Sequence, residues 1–137
     1  MKYLIGVQGA MGSFSEQAAH VFAENQEIKD YKIIYLISSF AVLDSIERKK
    51  INLGVFAMEN AQGGVVIESI NALAEFRCNI IDMFYVPISQ NLLSKEGVGI
   101  EDISEIHSHQ QALRQCKDYL SRNFWAKPLI ESDDTAE

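Results

Sequence analysis

Short apolar runs alternate along this chain with stretches whose apolar residues recur at helical spacing, and that alternation admits few folds. The runs are Tyr3 to Val7, Lys32 to Ile37, Leu53 to Met58, Asn79 to Ile88, Ser104 to His107 and Pro128 to Ile130. Between them, Phe14, Ala18, Val21 and Phe22 mark one helical face and Phe40, Leu43 and Ile46 a second; Val66, Ile70 and Leu73 mark a third, and Leu113, Cys116 and Leu120 a fourth. The order reads β-α-β-α-β-α-β, then β-α-β, and predicts an α/β fold. At 137 residues, a folded chain buries very roughly two thirds of the surface its unfolded form exposes, enough for a core without disulfide or metal staples. One domain or two small lobes fit this length.

Charge narrows the function classes. Twelve basic and 19 acidic side chains leave a formal charge of −7, so there is no basic patch to neutralise nucleic-acid phosphates or to bind anionic lipid. Any anionic ligand must then be held by local positive potential. Cys78 and Cys116 stand far apart with no C-x-x-C spacing, which predicts buried thiols in a reducing compartment rather than a disulfide or a zinc site. The start Met1-Lys2-Tyr3-Leu4-Ile5-Gly6 turns polar too soon for a secretory signal, and no apolar run approaches the ~18 residues of a membrane span. A cytoplasmic protein is expected.

Helix starts are the most legible feature. Ser13 with Glu16, and Ser108 with Gln111, have capping-box spacing, in which a hydroxyl takes one orphan amide and the side chain three residues on reaches back. Ser39 is the expected cap of the second helix, whose far end carries Arg48, Lys49 and Lys50. Each start follows a strand, and ligands of open α/β sheets bind beyond the carboxyl ends of the strands.

Three junctions carry candidate chemistry. The turn Gly9-Ala10-Met11-Gly12 before Ser13 and Phe14 lets amides approach a carboxylate or phosphate at a helix start. It is not a P-loop, because no Gly-Lys-Ser/Thr follows, and it lacks the third glycine of a dinucleotide fingerprint. At the second junction, Glu59, Asn60 and Gln62 lie between a buried strand and the Gly63-Gly64 pair; buried polar groups need partners, and Asn60 can donate to a substrate oxygen. The third holds His107, Ser108 and His109 at a helix start; with no third ligand at suitable spacing a metal is not expected, and Ser108 and His109 read as anion or carbonyl binders. His20, inside the first helix, reads as a surface residue or a core residue with its hydrogen bonds satisfied.

Taken in order, Gly9 to Ala19, Met58-Glu59-Asn60, Ser108 to Cys116 and Asp134-Thr135-Ala136 resemble the successive signatures of prephenate dehydratase across essentially the whole chain. The resemblance implies a two-lobed α/β fold similar to type II periplasmic binding proteins, with substrate between the lobes. It also implies conversion of prephenate to phenylpyruvate, water and carbon dioxide in phenylalanine biosynthesis, without a cofactor. On that resemblance the candidate catalytic residues are Thr135, Ser13 and Asn60. The candidate substrate-binding residues are Gly12, Ser13, Phe14, Glu59, Asn60, Ser108, His109, Gln115 and Thr135.

Departures from the family pattern accompany the match. Ala10 stands where proline is usual, Ser13 where threonine is, Ala61 and Asp134 where serines are, and Gln90 where histidine is common. The family's Thr-Arg-Phe motif, with its catalytic threonine, and its regulatory ACT domain are absent from the sequence. The chain is therefore expected either to be truncated before that motif or to work with a polypeptide that supplies it.

The boundary is expected near residue 77, giving lobes 1–77 and 78–137, with Asn79 to Leu93 carrying the crossing. Two function classes follow: a dehydratase or its substrate-binding part, and a catalytically inactive module for a small carboxylate ligand. Self-association through an open sheet edge is a structural alternative, and the expected partners are a small dicarboxylate and either further copies of the chain or a complementing one.

Overall fold

The computed structural model describes residues 2–60 and 63–132. Chain contacts divide it into two compact units, Met1–Ile88 and Ser89–Glu137.

The first unit is built on β1 (Tyr3–Val7), β2 (Tyr31–Tyr35) and β3 (Leu53–Val55), all parallel in the order β2-β1-β3. Ile5 and Val7, fully buried, point to the side where Ala19 and Ala23 of α1 (Phe14–Asn25) pack, with Tyr31, Ile33, Leu53 and Val55 around them. Going from β2 to β3 reverses the direction of travel across the sheet, so a right-handed connection puts α2 (Ser39–Glu47) on the opposite face. Gly6 of β1 and Gly54 of β3 are in register there. An added Cβ at Gly54 would meet Val42 Cγ1 at 2.5 Å, and one at Gly6 would meet Ile51 Cδ1 at 2.5 Å. Bare backbone is what lets α2 and the chain after it lie this close.

Two strands of two residues each follow, β4 (Glu59–Asn60) antiparallel to β5 (Gly64–Val65), then α3 (Ile67–Glu75). The ring of Phe76 meets Phe40 of α2 edge-on, centroids 4.9 Å apart. The helical faces differ from the sequence expectation by part of a turn. Phe14, Phe40 and Ile70 are 40%, 47% and 43% exposed, while Ala19, Phe22 and Ala23, then Val42 and Leu43, then Ser69 and Ala72 are buried.

The strand expected over Asn79 to Ile88 does not form. Its composition suits a strand, but a strand exists only through a ladder, and none of the described residues offers one. Met83 N–H turns to its neighbour Asp82 Oδ1 at 2.8 Å, Pro87 has no amide to give, and Phe84 packs against Phe22 with rings stacked at 6.3 Å.

In the second unit, β6 (Ile106–Ser108) pairs parallel with β7 (Leu129–Glu131). The connection holds α4 (Gln110–Gln115) and α5 (Lys117–Asn123). The single helix expected through Leu113, Cys116 and Leu120 is thus broken at Cys116, which ends one helix and begins the next. All three residues still join one core, with Ile106, Phe124 and Ile103. Both cysteines are free and half-buried rather than fully buried. No helix among the described residues is long and apolar enough to cross a membrane.

Candidate functional site

In the first unit the parallel order places the ends of β1, β2 and β3 at one edge, and the direction of winding reverses beside β1, the position where α/β sheets open a crevice. The chain leaves β1 through Gln8 and a turn in which Gly9 and Gly12 take φ of +118° and +83°, values that L side chains resist. Ser13 then caps α1, its Oγ accepting from Glu16 N–H at 3.3 Å. Glu16 reaches back, as a capping box requires, but to Gly12 N–H at 2.6 Å, one residue before the cap. The amides of Phe14 and Ser15 donate to no group among the described residues. They remain available at the positive end of α1.

Glu16 is itself held on several sides. Tyr35 donates its hydroxyl to Glu16 Oε1 at 2.5 Å, and His20 Nε2 stands 3.7 Å from the same oxygen. The Tyr35 hydroxyl, then the Gly12 amide, hold the Glu16 carboxyl below the usual range, with His20 adding a smaller pull and burial opposing. The same bond raises the Tyr35 phenol. His20, exposed, is hydrogen-bonded through Nδ1 to Tyr31 at 2.7 Å, in keeping with its sequence reading. An open hollow of about 440 Å³ runs along α1 from Gly12, Ser13 and Phe14 past Glu16 and His20 to Glu24. Its far end is acidic and Glu16 occupies the Gly12 amide, so what is left for an anion is the Ser13–Phe14 end.

Glu59 and Asn60 leave the same sheet edge from the adjacent strand. Asn60 Oδ1 accepts from Gly63 N–H at 3.1 Å, bracing the hairpin turn. Ala61 and Gln62 lie outside the described residues, as do Asp134 and Thr135.

In the second unit, α4 is capped by His109 rather than Ser108: its Nδ1 accepts from Gln111 N–H at 3.2 Å, which leaves the proton of the neutral ring on Nε2. Ser108 stays in β6, paired with Glu131. Gln115 sits at the other end of α4, roughly 9 Å along the axis from His109, and its Oε1 accepts from Gln90 Nε2 at 3.1 Å. The start of α4 and Gln115 are therefore separate features of this unit. Among the described residues no group of three or more His, Cys, Asp or Glu side chains is arranged to hold a metal ion.

Sequence reasoning missed a second polar cluster at the first unit's edge. Ser38, not Ser39, caps α2, its Oγ accepting from Ala41 N–H at 3.1 Å. Ser39 is buried, and its amide and hydroxyl both donate to Glu68 Oε1 at 2.9 Å. Glu68 Oε2 accepts from Gln8 Nε2 at 3.2 Å. A glutamate in the first turn of one helix gave no sign that it would serve the start of another.

The chain matches the family model described as Prephenate dehydratase over residues 5–137. It is 30% identical over 132 residues to Arogenate dehydratase 2 of Petunia hybrida, covering 96% of this chain and 32% of that one. It is 31% identical over 122 residues to a prephenate dehydratase of Methanocaldococcus jannaschii, covering 88% and 43%. The crystal structure of a prephenate dehydratase from Arthrobacter aurescens in complex with L-Phe superposes with a TM-score of 0.83 at 23% identity, over 97% of this chain and 43% of that one. The chain thus spans less than half the length of these relatives. The fold is of the periplasmic-binding-protein type expected from the sequence.

Proposed function

This chain belongs to the prephenate dehydratase family, and we propose that it forms the substrate-binding part of an enzyme converting prephenate to phenylpyruvate, water and carbon dioxide. The observation that carries the reading is the start of α1. There Ser13 and the unengaged amides of Phe14 and Ser15 stand at the carboxyl end of β1, the one end of the α1 hollow able to take a carboxylate. Prephenate carries two carboxylates and a ring hydroxyl. In the reaction the bond from the ring to its carboxylate breaks, its electrons aromatise the ring, and the hydroxyl leaves as water after taking up a proton.

What the residues contribute is anchoring and hydrogen bonding, with no cofactor required by that electron count. In the first unit Ser13 and the Phe14 and Ser15 amides hold a carboxylate on the turn that Gly12 shapes, with Glu59 and Asn60 at the same sheet edge; in the second unit Ser108, His109 through Nε2–H, and Gln115 are the candidate contacts. The departing oxygen needs a hydrogen-bond donor, and Ser13, Asn60 and Thr135 are the candidates. An alcohol assists more by hydrogen bonding than by full proton transfer.

The relatives' extra length supports a further polypeptide segment, or further copies of this chain, taking part in turnover. The lobes are taken as 1–77 and 78–137, and two free thiols suit a reducing cytoplasm.

The test is titration of the purified chain with prephenate by calorimetry, with phenylpyruvate followed by its absorbance in alkali. Saturable binding that Ser13→Ala weakens supports the reading. Absence of binding refutes it, and binding with only the spontaneous rate assigns this chain the binding part alone.

A further inference from the structure

The segment that carries Glu59 and Asn60 is paired with Gly64–Val65, and Met58 C=O accepts from Val66 N–H at 2.9 Å, but the three-stranded sheet itself does not hold it. The β1–β3 ladder ends at Val55, whose C=O accepts from Gln8 N–H at 3.1 Å, and two residues on the peptide groups of Ala57 lie outside it. Both are taken by side chains: Ala57 N–H donates to Gln8 Oε1 at 3.1 Å, and Ala57 C=O accepts from Ser69 Oγ at 2.6 Å. Ser69 is fully buried, and a carbonyl accepts only, so the Ala57 C=O leaves no choice of partner group there. Gln8 does have one, because its amide can present either oxygen or NH2 to Ala57. Only the oxygen fits an N–H donor, and the group that selects it is Glu68, whose Oε2 accepts from the Gln8 NH2 at 3.2 Å. Glu68 is fixed in turn by the amide and hydroxyl of Ser39, both 2.9 Å from Oε1.

We propose that Glu68 is a positioning residue: acting through Gln8, it sets where the Glu59-Asn60 strand leaves the sheet and so orients Asn60 toward the ligand. The role rests on the function proposed above. It follows from donor and acceptor counting. Glu68 is acceptor-only and faces donors on both sides. In Glu68→Gln, one face of the new amide becomes a donor. Ser39 N–H cannot turn, so the substituted side chain must keep its oxygen there and offer NH2 to Gln8. Gln8 then flips to accept, and its own NH2 confronts Ala57 N–H. The loss passes to the Asn60 strand although Glu68 never touches it. Placing the carboxylate at the other position repairs every bond: in Gln8→Glu with Glu68→Gln, the new glutamate accepts from both the new glutamine amide and Ala57. Gln8→Glu alone sets two carboxylates against each other and repairs nothing.

The experiment is the four-variant cycle in the full chain, read by hydrogen exchange of the Ala57 amide and by calorimetric affinity for prephenate. Expected for Glu68→Gln is faster exchange at Ala57 and an affinity lower by about three- to tenfold, the effect of leaving one donor unpaired. In the double variant both should return to within about twofold of the unaltered chain, a rescue that a role confined to the α2 start would not give. If Glu68→Gln does not fold, recovery of folding and binding in the double variant supports the proposal, and failure of the double variant overturns it. Binding by the unaltered chain that Glu68→Gln leaves intact overturns the positioning role alone. No binding by the unaltered chain overturns the proposed function and this role with it, whatever the exchange of Ala57 shows.

Discussion

Replacing Gly54 with alanine tests how α2 is seated, and with it the placement of Ser39 and Glu68. The added Cβ would stand 2.5 Å from Val42 Cγ1 and 2.8 Å from Ile46 Cδ1, where carbon atoms rest about 3.5–4.0 Å apart. Val42 is fully buried and, being β-branched in a helix, has one comfortable rotamer, so the helix rather than the side chain must yield. Overpacking of this kind costs about 1–3 kcal/mol, and alanine returns about 0.5–1 kcal/mol of the glycine's unfolded-state entropy. At the middle of these ranges the net destabilisation is about 1.3 kcal/mol, or a midpoint lowered by roughly 4–6 °C for a chain of this size. Thermal and urea unfolding of Gly54→Ala, Val42→Ala and the pair measure it. Val42→Ala opens the space the new methyl needs, so the double variant should be more stable than the sum of the single losses by about 1 kcal/mol. A Gly54→Ala chain melting with the unaltered one, or strictly additive losses, would refute the argument that glycine is there to admit α2.

Other outcomes follow from single sites. Ile37, 68% exposed, has φ of +63° and sits under a Ser38 N–H to Leu36 O bond of 2.7 Å; Ile37→Gly should stabilise the chain by about 0.5–1 kcal/mol, because the left-handed penalty exceeds glycine's entropy, and a lower urea midpoint would contradict this. The Glu16 carboxyl is held below its ordinary 4.5, so its contribution is present above that pH and lost as pH falls through the lower folded value. Tyr35→Phe removes the chief cause, and its stability gap from the unaltered chain, followed by urea unfolding from pH 7 to pH 2.5, should close on the acid side; a gap independent of pH would show that Glu16 is not the partner that matters. Ser13→Ala removes the α1 cap, costing about 1 kcal/mol by urea unfolding, and a cost near zero would mean that Glu16 alone secures that turn.

The parts of the fold that were legible are those decided locally. β1 and the start of α1 occur where the apolar run, the paired glycines and Ser13 place them, since a positive-φ turn and a cap are chosen by the residues that form them. The segment Asn79 to Ile88 was not legible in the same way, because strand composition is a condition for pairing and the partner lies elsewhere in sequence. The caps of α2 and α4 each miss by one residue for related reasons. Ser38 and Ser39 are chemically equivalent, and the left-handed turn at Ile37 decides which one stands at the boundary. Ser108 is kept extended by its pairing with Glu131, so the cap falls to His109. Helix faces shifted where small residues, Ala19, Ser69 and Ala72, fit the close approach that larger apolar neighbours would prevent.

The site raises a different problem, one of charge. A chain of net charge −7 was expected to hold an anion by concentrating positive potential at helix starts. The first unit shows that potential already shared with the chain's own carboxylates: Glu16 lies on the Gly12 amide before α1, and Glu68 on the first amide of α2. Each resident carboxylate removes a donor and sets a negative charge against the half-charge of the helix end. On the proposed function, long-range attraction is therefore not what would select the dianionic ligand. What remains is short-range and directional: the Phe14 and Ser15 amides and the Ser13 hydroxyl, fixed by a turn that the resident glutamate itself closes. Such a site discriminates by the geometry of its donors more than by charge, and its precision depends on groups that never touch the ligand. That is why Glu16 and Glu68, which no motif singles out as binding residues, are the side chains whose loss should disturb it.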